Sequence, residues 1–287
     1  MNNRSERARQ LRLLPGYLIL SLWVFFIVIM LGWILGASLS TTKEIFAGEA
    51  LKFSSGIHFE NYVRAWKTQN VSVFFVNSLL YASIASALIL VVAAPCAYCL
   101  ARMKFKLNTF IQTSFTAAMG VPLVMIILPL FGIVSNMGLL DTNISIRGLL
   151  IFLNVGINIP YTVIFLLSFF STISSSFEEA AIIDGCTRAQ AFWKIMLPLA
   201  QSGIITVTVF NFLNVWNEYF MALIFASGQD VRPVAVGLWS MINSMRYTGD
   251  WSGLFASVIL VFLPTFVLYV TMSNRIISGI TQGGVKG

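Results

Sequence analysis

Residues 178–200 read EEAAIIDGCTRAQAFWKIMLPLA. This is the most polar window of a chain that is 57% hydrophobic and only 10% charged. Three acids, Glu178, Glu179 and Asp184, come first; Arg188, Lys194 and Pro198 follow. Uncharged runs, 148–177 and 195–217, lie on either side. Soluble domains carry about 25% charged residues. The 287 residues here include 24 Phe, more apolar surface than one soluble core can bury. The solvent for most of the chain is therefore lipid, and the polar window is a loop between two spans.

The other uncharged runs are 13–42, 68–101, 107–140 and 251–274. Each of the six exceeds the roughly 20 residues a helix needs to cross a bilayer. They lack the period-two alternation of a membrane β-barrel. The expected fold is all-α and integral to the membrane, one domain over 1–287, with helices near 14–38, 72–100, 109–134, 148–170, 199–225 and 251–273. The basic start, MNNRSERARQLRLLPG, is like that of a signal peptide. The apolar run after it is too long for one, so it is kept as the first span.

The net charge is +7. In a membrane protein such a surplus flanks the spans on the cytoplasmic side, so no nucleic-acid partner is expected. With the N-terminus inside, 11 of the 18 Lys and Arg fall in inside segments, concentrated before the first span and at 102–106. Both termini, the window at 174–198 and a tail at 275–287 are then cytoplasmic. The tail has three glycines in its last five residues and is expected to be flexible or ordered by a partner.

Within the window, Ser176 and Glu179 have the spacing of a capping box, as do Thr187 and Gln190. The spacing predicts a helix from Phe177 to about Asp184, a turn at Gly185, and a second helix from Arg188 to about Met196. Interfacial helices are usually basic, to meet anionic lipid. This one is acidic and rich in alanine (Ala180, Ala181, Ala189), which suits close approach by a protein partner better than lipid.

Elsewhere the residues point to structure. Cys96 and Cys99 form C-x-x-C inside a span, without a second pair or a histidine, and read as small packing residues; no metal is expected. Cys186 is expected to be reduced. His58, the single histidine, lies in an outside loop with no acid or serine partner in view, and no catalytic role is expected for it. Pro95, Pro122, Pro129, Pro160 and Pro264 are expected to shape the bundle by kinking spans.

Glu179-Ala180-Ala181, Gly185, Ile195 and Leu197-Pro198, with Asp184 before the glycine, resemble the EAA loop of ABC-importer permease subunits. Seven identities fall at the family's spacing over 20 positions. HFENYVRAW (58–66), NSLLYA (77–82), AYCLARMKFK (97–106), WNEYFMAL (216–223) and SGITQGGVKG (278–287) are similar to segments of the carbohydrate branch, the maltose and multiple-sugar permeases; Cys99 is a minor departure. The resemblance implies a type I importer bundle in the bacterial inner membrane. It implies a second permease, usually a homologue, two ATP-binding cassette subunits and an extracytoplasmic solute-binding protein. It also implies that the helix at 177–184 docks on the ATPase and transmits its closure to the spans. No G-x-x-x-x-G-K-[ST] motif occurs here, so no cofactor is expected in this chain and the chain is not itself an enzyme; ATP and Mg²⁺ belong to the ATPase.

Glu218 is the acid well inside an apolar run, a functional-site candidate. Asn211, Asn214, Asn217 and Glu218 recur near one helical face beside Trp216 and Tyr219, and are a candidate sugar path; Asn154 and Asn158 are weaker candidates. Interhelical hydrogen bonding is the other use for such Asn residues. A peptide or polyamine permease is the nearest alternative. An ion-coupled transporter using Glu218 is a further one, although no inverted repeats are seen.

Overall fold

The computed structural model describes residues 3–284, and every regular element among them is helical. In chain order these are α1 (Asn3–Leu39), α2 (Thr42–Phe46), α3 (Glu60–Lys67), α4 (Val71–Arg102), α5 (Asn108–Met119), α6 (Leu123–Asn136), α7 (Asn143–Thr172), α8 (Ser176–Ile183), α9 (Arg188–Ala191), a π-helical turn (Phe192–Met196), α10 (Leu197–Leu199), α11 (Gln201–Trp216), α12 (Phe220–Phe225), a 3-10 turn (Gln229–Val231), α13 (Val234–Thr248) and α14 (Trp251–Gly284). Four stretches are unbroken and apolar enough to span: Leu13–Leu39, Val71–Arg102, Asn143–Thr172 and Trp251–Ile276.

The remaining two expected spans are bent. α5 and α6 meet at 93° around Gly120-Val121-Pro122, so 109–134 is not one straight helix. Pro122 has no N–H to donate, and it disfavours helical backbone at Val121. The fifth span turns by 77° at Ala200 and is interrupted again at 217–219, between α11 and α12. The tail expected to be flexible or ordered by a partner is helical through 284. α14 continues through 275–284, where Ile276 is buried and the Arg275 carbonyl accepts the Thr206 hydroxyl (3.2 Å). Residues 285–287 lie outside the described part.

The chain forms two compact units. The larger comprises 71–239 and 262–287. In it α4 lies along α7 and α11, and α5 lies against α7. Ala82, Ala85, Ala93, Ala94 and Ala97 of α4 are buried, and small residues let helix backbones approach where lipid supplies no hydrophobic drive. Asn77 donates to the Asp230 and Arg232 carbonyls (2.7 and 3.0 Å) and Tyr81 to the Val231 carbonyl (2.8 Å), tying the loop after α12 to α4.

The smaller unit comprises 1–70 and 240–261. Arg64 grips Asp250 with two hydrogen bonds (Nε to Oδ2 2.7 Å, Nη2 to Oδ1 3.0 Å), and Gln69 adds a third (2.7 Å). Trp33 packs edge-on to Phe255. Ahead of α3, Glu44 organises the loop. It closes a capping box with Thr41 and accepts both the N–H and the hydroxyl of Ser55 (2.8 and 2.9 Å). The structure gives His58 partners that were not in view in the sequence: Ser55 Oγ at 2.9 Å from Nε2 and Glu60 Oε1 at 2.5 Å from Nδ1. Ser55 gives its hydroxyl proton to Glu44, so the group organises the loop and does not prepare a nucleophile.

The Thr41 and Ser55 N–H groups hold the Glu44 carboxyl down to about 2, against an ordinary 4.5. A depressed carboxyl pKa stabilises the fold above the unfolded-state value and is lost as pH falls through the folded one. Amide protection at Thr41 and Ser55 is therefore expected to be constant above about pH 4.5 and to fall between there and about pH 2. Hydrogen exchange in detergent measures it. Glu44→Gln should lower protection at neutral pH and flatten the profile; an unchanged profile would refute the assignment.

Candidate functional site: an exposed helical hairpin

α8 and α9 form the hairpin of the polar window. Glu178 and Ala181, three residues apart, face inward, while Glu179, Ala180 and Ile183 are exposed, Ile183 at 84%. Phe177 and Ile182 are exposed as well. The surface offered outward is thus the carboxylates of Glu179 and Asp184 among small, aliphatic and aromatic side chains.

The end of α8 is a six-residue cap. Gly185 has φ +83°; its N–H bonds the Ile182 carbonyl (3.0 Å) and the Cys186 N–H bonds the Ala181 carbonyl (2.9 Å). This is the Schellman arrangement, which needs left-handed backbone at the glycine position. Asp184 is the exposed residue before it. α9 starts at a reciprocal box: Thr187 Oγ1 accepts the Gln190 N–H (3.3 Å) and Gln190 Oε1 accepts the Thr187 N–H (2.8 Å).

No such box forms at Ser176. Ser176 is the first helical residue, Ser175 precedes it in helical geometry, and Ser175 makes no side-chain cap. Ser174 takes the place instead: its Oγ accepts the Ser176 N–H (3.3 Å) and pairs with the Ser176 hydroxyl (2.8 Å). Glu179 is left with no capping role and points outward.

After α9 the backbone widens into the π-helical turn, closed by the Leu197 N–H on the Phe192 carbonyl. The cause is Pro198. It lacks an N–H, and its ring crowds the carbonyl four residues earlier, so the preceding turn loosens. Ile195 and Leu197 are half-buried and Pro198 exposed, while Phe192 and Met196 fill the interior.

Sequence reasoning missed what holds α8 to the spans. Arg102, at the end of α4, donates through Nη2 to the Phe170 carbonyl (2.8 Å) and the Ile173 carbonyl, and its Nε lies 3.3 Å from Glu178 Oε2. Tyr98 donates to Glu178 Oε1. The Tyr98 ring also packs on Phe170 and Phe192. Tyr98 and Arg102 stand one turn apart on α4, a spacing readable in the sequence, but their partners lie about 70–80 residues away.

The candidate path residues do not share one surface. Asn211 is fully buried and exchanges hydrogen bonds with Thr162 of α7 (3.0 and 3.2 Å). Trp216 is buried between Phe75 and Phe212. Asn214 and Asn217 are exposed, and Tyr219 is half-buried with its ring near Trp239. Glu218 accepts the N–H groups of Met221 (2.6 Å) and Ala222 (3.0 Å), filling donors that the restarting α12 leaves open. Asn154 and Asn158 each donate to the carbonyl four residues before them in α7 (2.8 Å each). Among the described residues no group of three His, Cys, Asp or Glu could hold a metal, and all three cysteines are free.

Residues 89–280, more than half of the chain and the whole hairpin included, match the family model described as "Binding-protein-dependent transport system inner membrane component". The diacetylchitobiose uptake system permease protein NgcG of Streptomyces coelicolor is 34% identical, over 93% of this chain and 87% of that protein. The sulfoquinovosyl glycerol transport system permease protein SmoH of Agrobacterium fabrum is 32% identical, over 89% and 87%. A chain of a bacterial ABC transporter that imports the acidic polysaccharide alginate has the same fold, with TM-score 0.77, 21% identity and coverage of 93% of this chain and 97% of that one. The bundle of straight and broken spans, the hairpin with its glycine cap and these matches agree: the chain belongs to the family of binding-protein-dependent transport system inner membrane components, the permease subunits of ABC importers.

Proposed function

We propose that this chain is one of two permease subunits of an ATP-driven carbohydrate importer, with both termini in the cytoplasm. The partners are a second, homologous permease, two ATP-binding cassette subunits that bind ATP and Mg²⁺, and an extracytoplasmic solute-binding protein. Hydrolysis belongs to the cassette subunits. The observation that carries the coupling role is the hairpin: a capped, rigid α8 with Glu179, Ala180 and Ile183 exposed and Ala181 buried. A short helix moves as one body, so closure of an ATPase groove around α8 biases the spans between two packings.

Carbohydrate is supported by the relatives, whose names specify diacetylchitobiose and sulfoquinovosyl glycerol. The path is assigned to the side of α11 that exposes Asn214 and Asn217, with Tyr219 beside it. Amides bond hydroxyls, and an aromatic face covers the apolar face of a sugar ring. Asn211 and Trp216 stand behind this surface and hold it in place.

The test is uptake into proteoliposomes holding the assembled importer and its binding protein. Disaccharide uptake should require ATP and should persist when a protonophore collapses the proton gradient at constant ATP. Uptake that collapses with the gradient would instead support ion coupling through Glu218.

A further inference from the structure

We propose that Tyr98, Arg102 and Glu178 form the joint that fastens α8 to α4 and α7, so that force applied to α8 moves both spans together. The inference rests on the coupling role proposed above and names positioning residues for it; none of the three is asked to touch solute or nucleotide.

The geometry is specific. Helix α8 packs its backbone mainly against its own hairpin, α9 and the π-helical turn. Between α8 and the end of α4 lies a cavity of about 220 Å³, lined by Tyr98, Arg102, Glu178, Glu179, Ile182 and Arg188 among others. Polar side chains bridge this cavity. One guanidinium holds three elements at once. It sits on α4, takes the Phe170 carbonyl of α7 and the Ile173 carbonyl just after it, and faces the carboxylate of the first turn of α8. Tyr98 reaches the other oxygen of that carboxylate from the preceding turn of α4.

Arg102 and Glu178 are 13% and 16% exposed, so water screens the pair little. The Phe170 carbonyl keeps the Ile173 N–H (3.3 Å) as its backbone partner and the Ile173 carbonyl lies just past the helix end, so the guanidinium completes the cap of α7. Arg102 Nε approaches Glu178 without the alignment of a good hydrogen bond, whereas its Nη2 bonds α7 well. Glu178 is thus pinned by the tyrosine hydroxyl and drawn by charge, and α8 can pivot a little without leaving the joint. Such a joint passes on rotation of α8 and tolerates small adjustments of its seat.

The experiment measures solute imported per ATP hydrolysed in proteoliposomes of the whole importer, with the number of ATPase copies per complex measured alongside. Glu178→Gln keeps the shape and removes the charge; Arg102→Lys keeps the charge and loses the fork that reaches three acceptors. Both should lower import per ATP by about tenfold, equivalent to the loss of one charge-assisted contact, while the ATPase still co-purifies at wild-type copy number. Tyr98→Phe should lower it less. Glu178→Gln/Arg102→Gln relieves any unpaired charge, so it separates a joint from a merely electrostatic role; it should remain uncoupled. Wild-type import per ATP in the single variants, its recovery in the double variant, or loss of the ATPase from the complex would each overturn the joint. If the wild-type chain itself binds no ATPase or imports without ATP, the function proposed above fails, and the joint with it.

Discussion

Gly185→Val is expected to cut solute uptake by about tenfold or more while the chain still inserts and accumulates in the membrane. Gly185 sits at φ +83°, and the cap it closes satisfies the last carbonyls of α8 through its own N–H and that of Cys186. A Cβ built at Gly185 meets nothing within 4 Å, so no clash in the folded chain contributes. The penalty is in the backbone alone: roughly 1–2 kcal/mol for an ordinary L-residue in this region, and more for a β-branched one. Relief comes from abandoning the left-handed turn, which redirects α8 relative to α9. Insertion is decided by the apolar runs and is untouched. Gly185→Asn separates the backbone cause from a steric one. Asn tolerates the left-handed region better than Ala does, although it is larger. If the turn is what matters, uptake should rank Gly, Asn, Ala, Val. If bulk against the ATPase is what matters, Ala should outperform Asn. Uptake assays with immunoblots of the membrane fraction decide the order, and full activity of Gly185→Val would remove the turn from the mechanism.

Local chemistry was legible in the sequence because its partners are close along the chain. Thr187 and Gln190 are three residues apart, and the glycine that reverses the backbone at 185 is marked by its own residue type. Hydropathy located the apolar runs but could not locate the bends within them. The 93° break before α6 depends on Gly120 and Pro122 acting together at one point. The box at Ser176 failed because Ser174, two residues upstream, competes for the same N–H; a run of three serines leaves the start of the helix undetermined. Long-range matters were hidden for a different reason. Which side of α11 is buried depends on α7, and only Thr162 of α7 shows that Asn211 belongs to the interior. Glu218 looked exceptional as an acid in an apolar run. Its partners are N–H groups that exist only because the helix stops and restarts beside it. The Tyr98–Arg102–Glu178 joint joins three helix ends that no sequence window contains.

Gly203→Leu is expected to prevent α11 from seating on α7 and to lower uptake by about tenfold or more, with a matching fall in thermal stability in detergent. A Cβ at Gly203 would lie 2.6 Å from Cγ and Cδ2 of Phe169, a ring that is itself only 3% exposed. The near edge of a buried ring cannot swing aside, so the helices must separate. For Gly203→Ala two effects oppose each other. Alanine gains about 1 kcal/mol of helix propensity over glycine, and the added methyl costs roughly 1–3 kcal/mol of strain. The net loss is at most about 2 kcal/mol, so Ala should be mild. Leucine gains no further propensity and adds three more carbons to a space that has no room for one. In a membrane, where helix association depends on contact distance more than on water, that separation is not recovered elsewhere. Shrinking the ring tests the cause. Phe169→Ala alone should destabilise by about 3–5 kcal/mol through the space it leaves. Combined with Gly203→Leu it should destabilise by clearly less than the sum, because the leucine fills that space. Neighbours in contact are expected to depart from additivity by more than about 0.5 kcal/mol. Melting of the four proteins in one detergent gives the comparison, and strict additivity would mean that Gly203 and Phe169 do not limit how closely α7 and α11 approach.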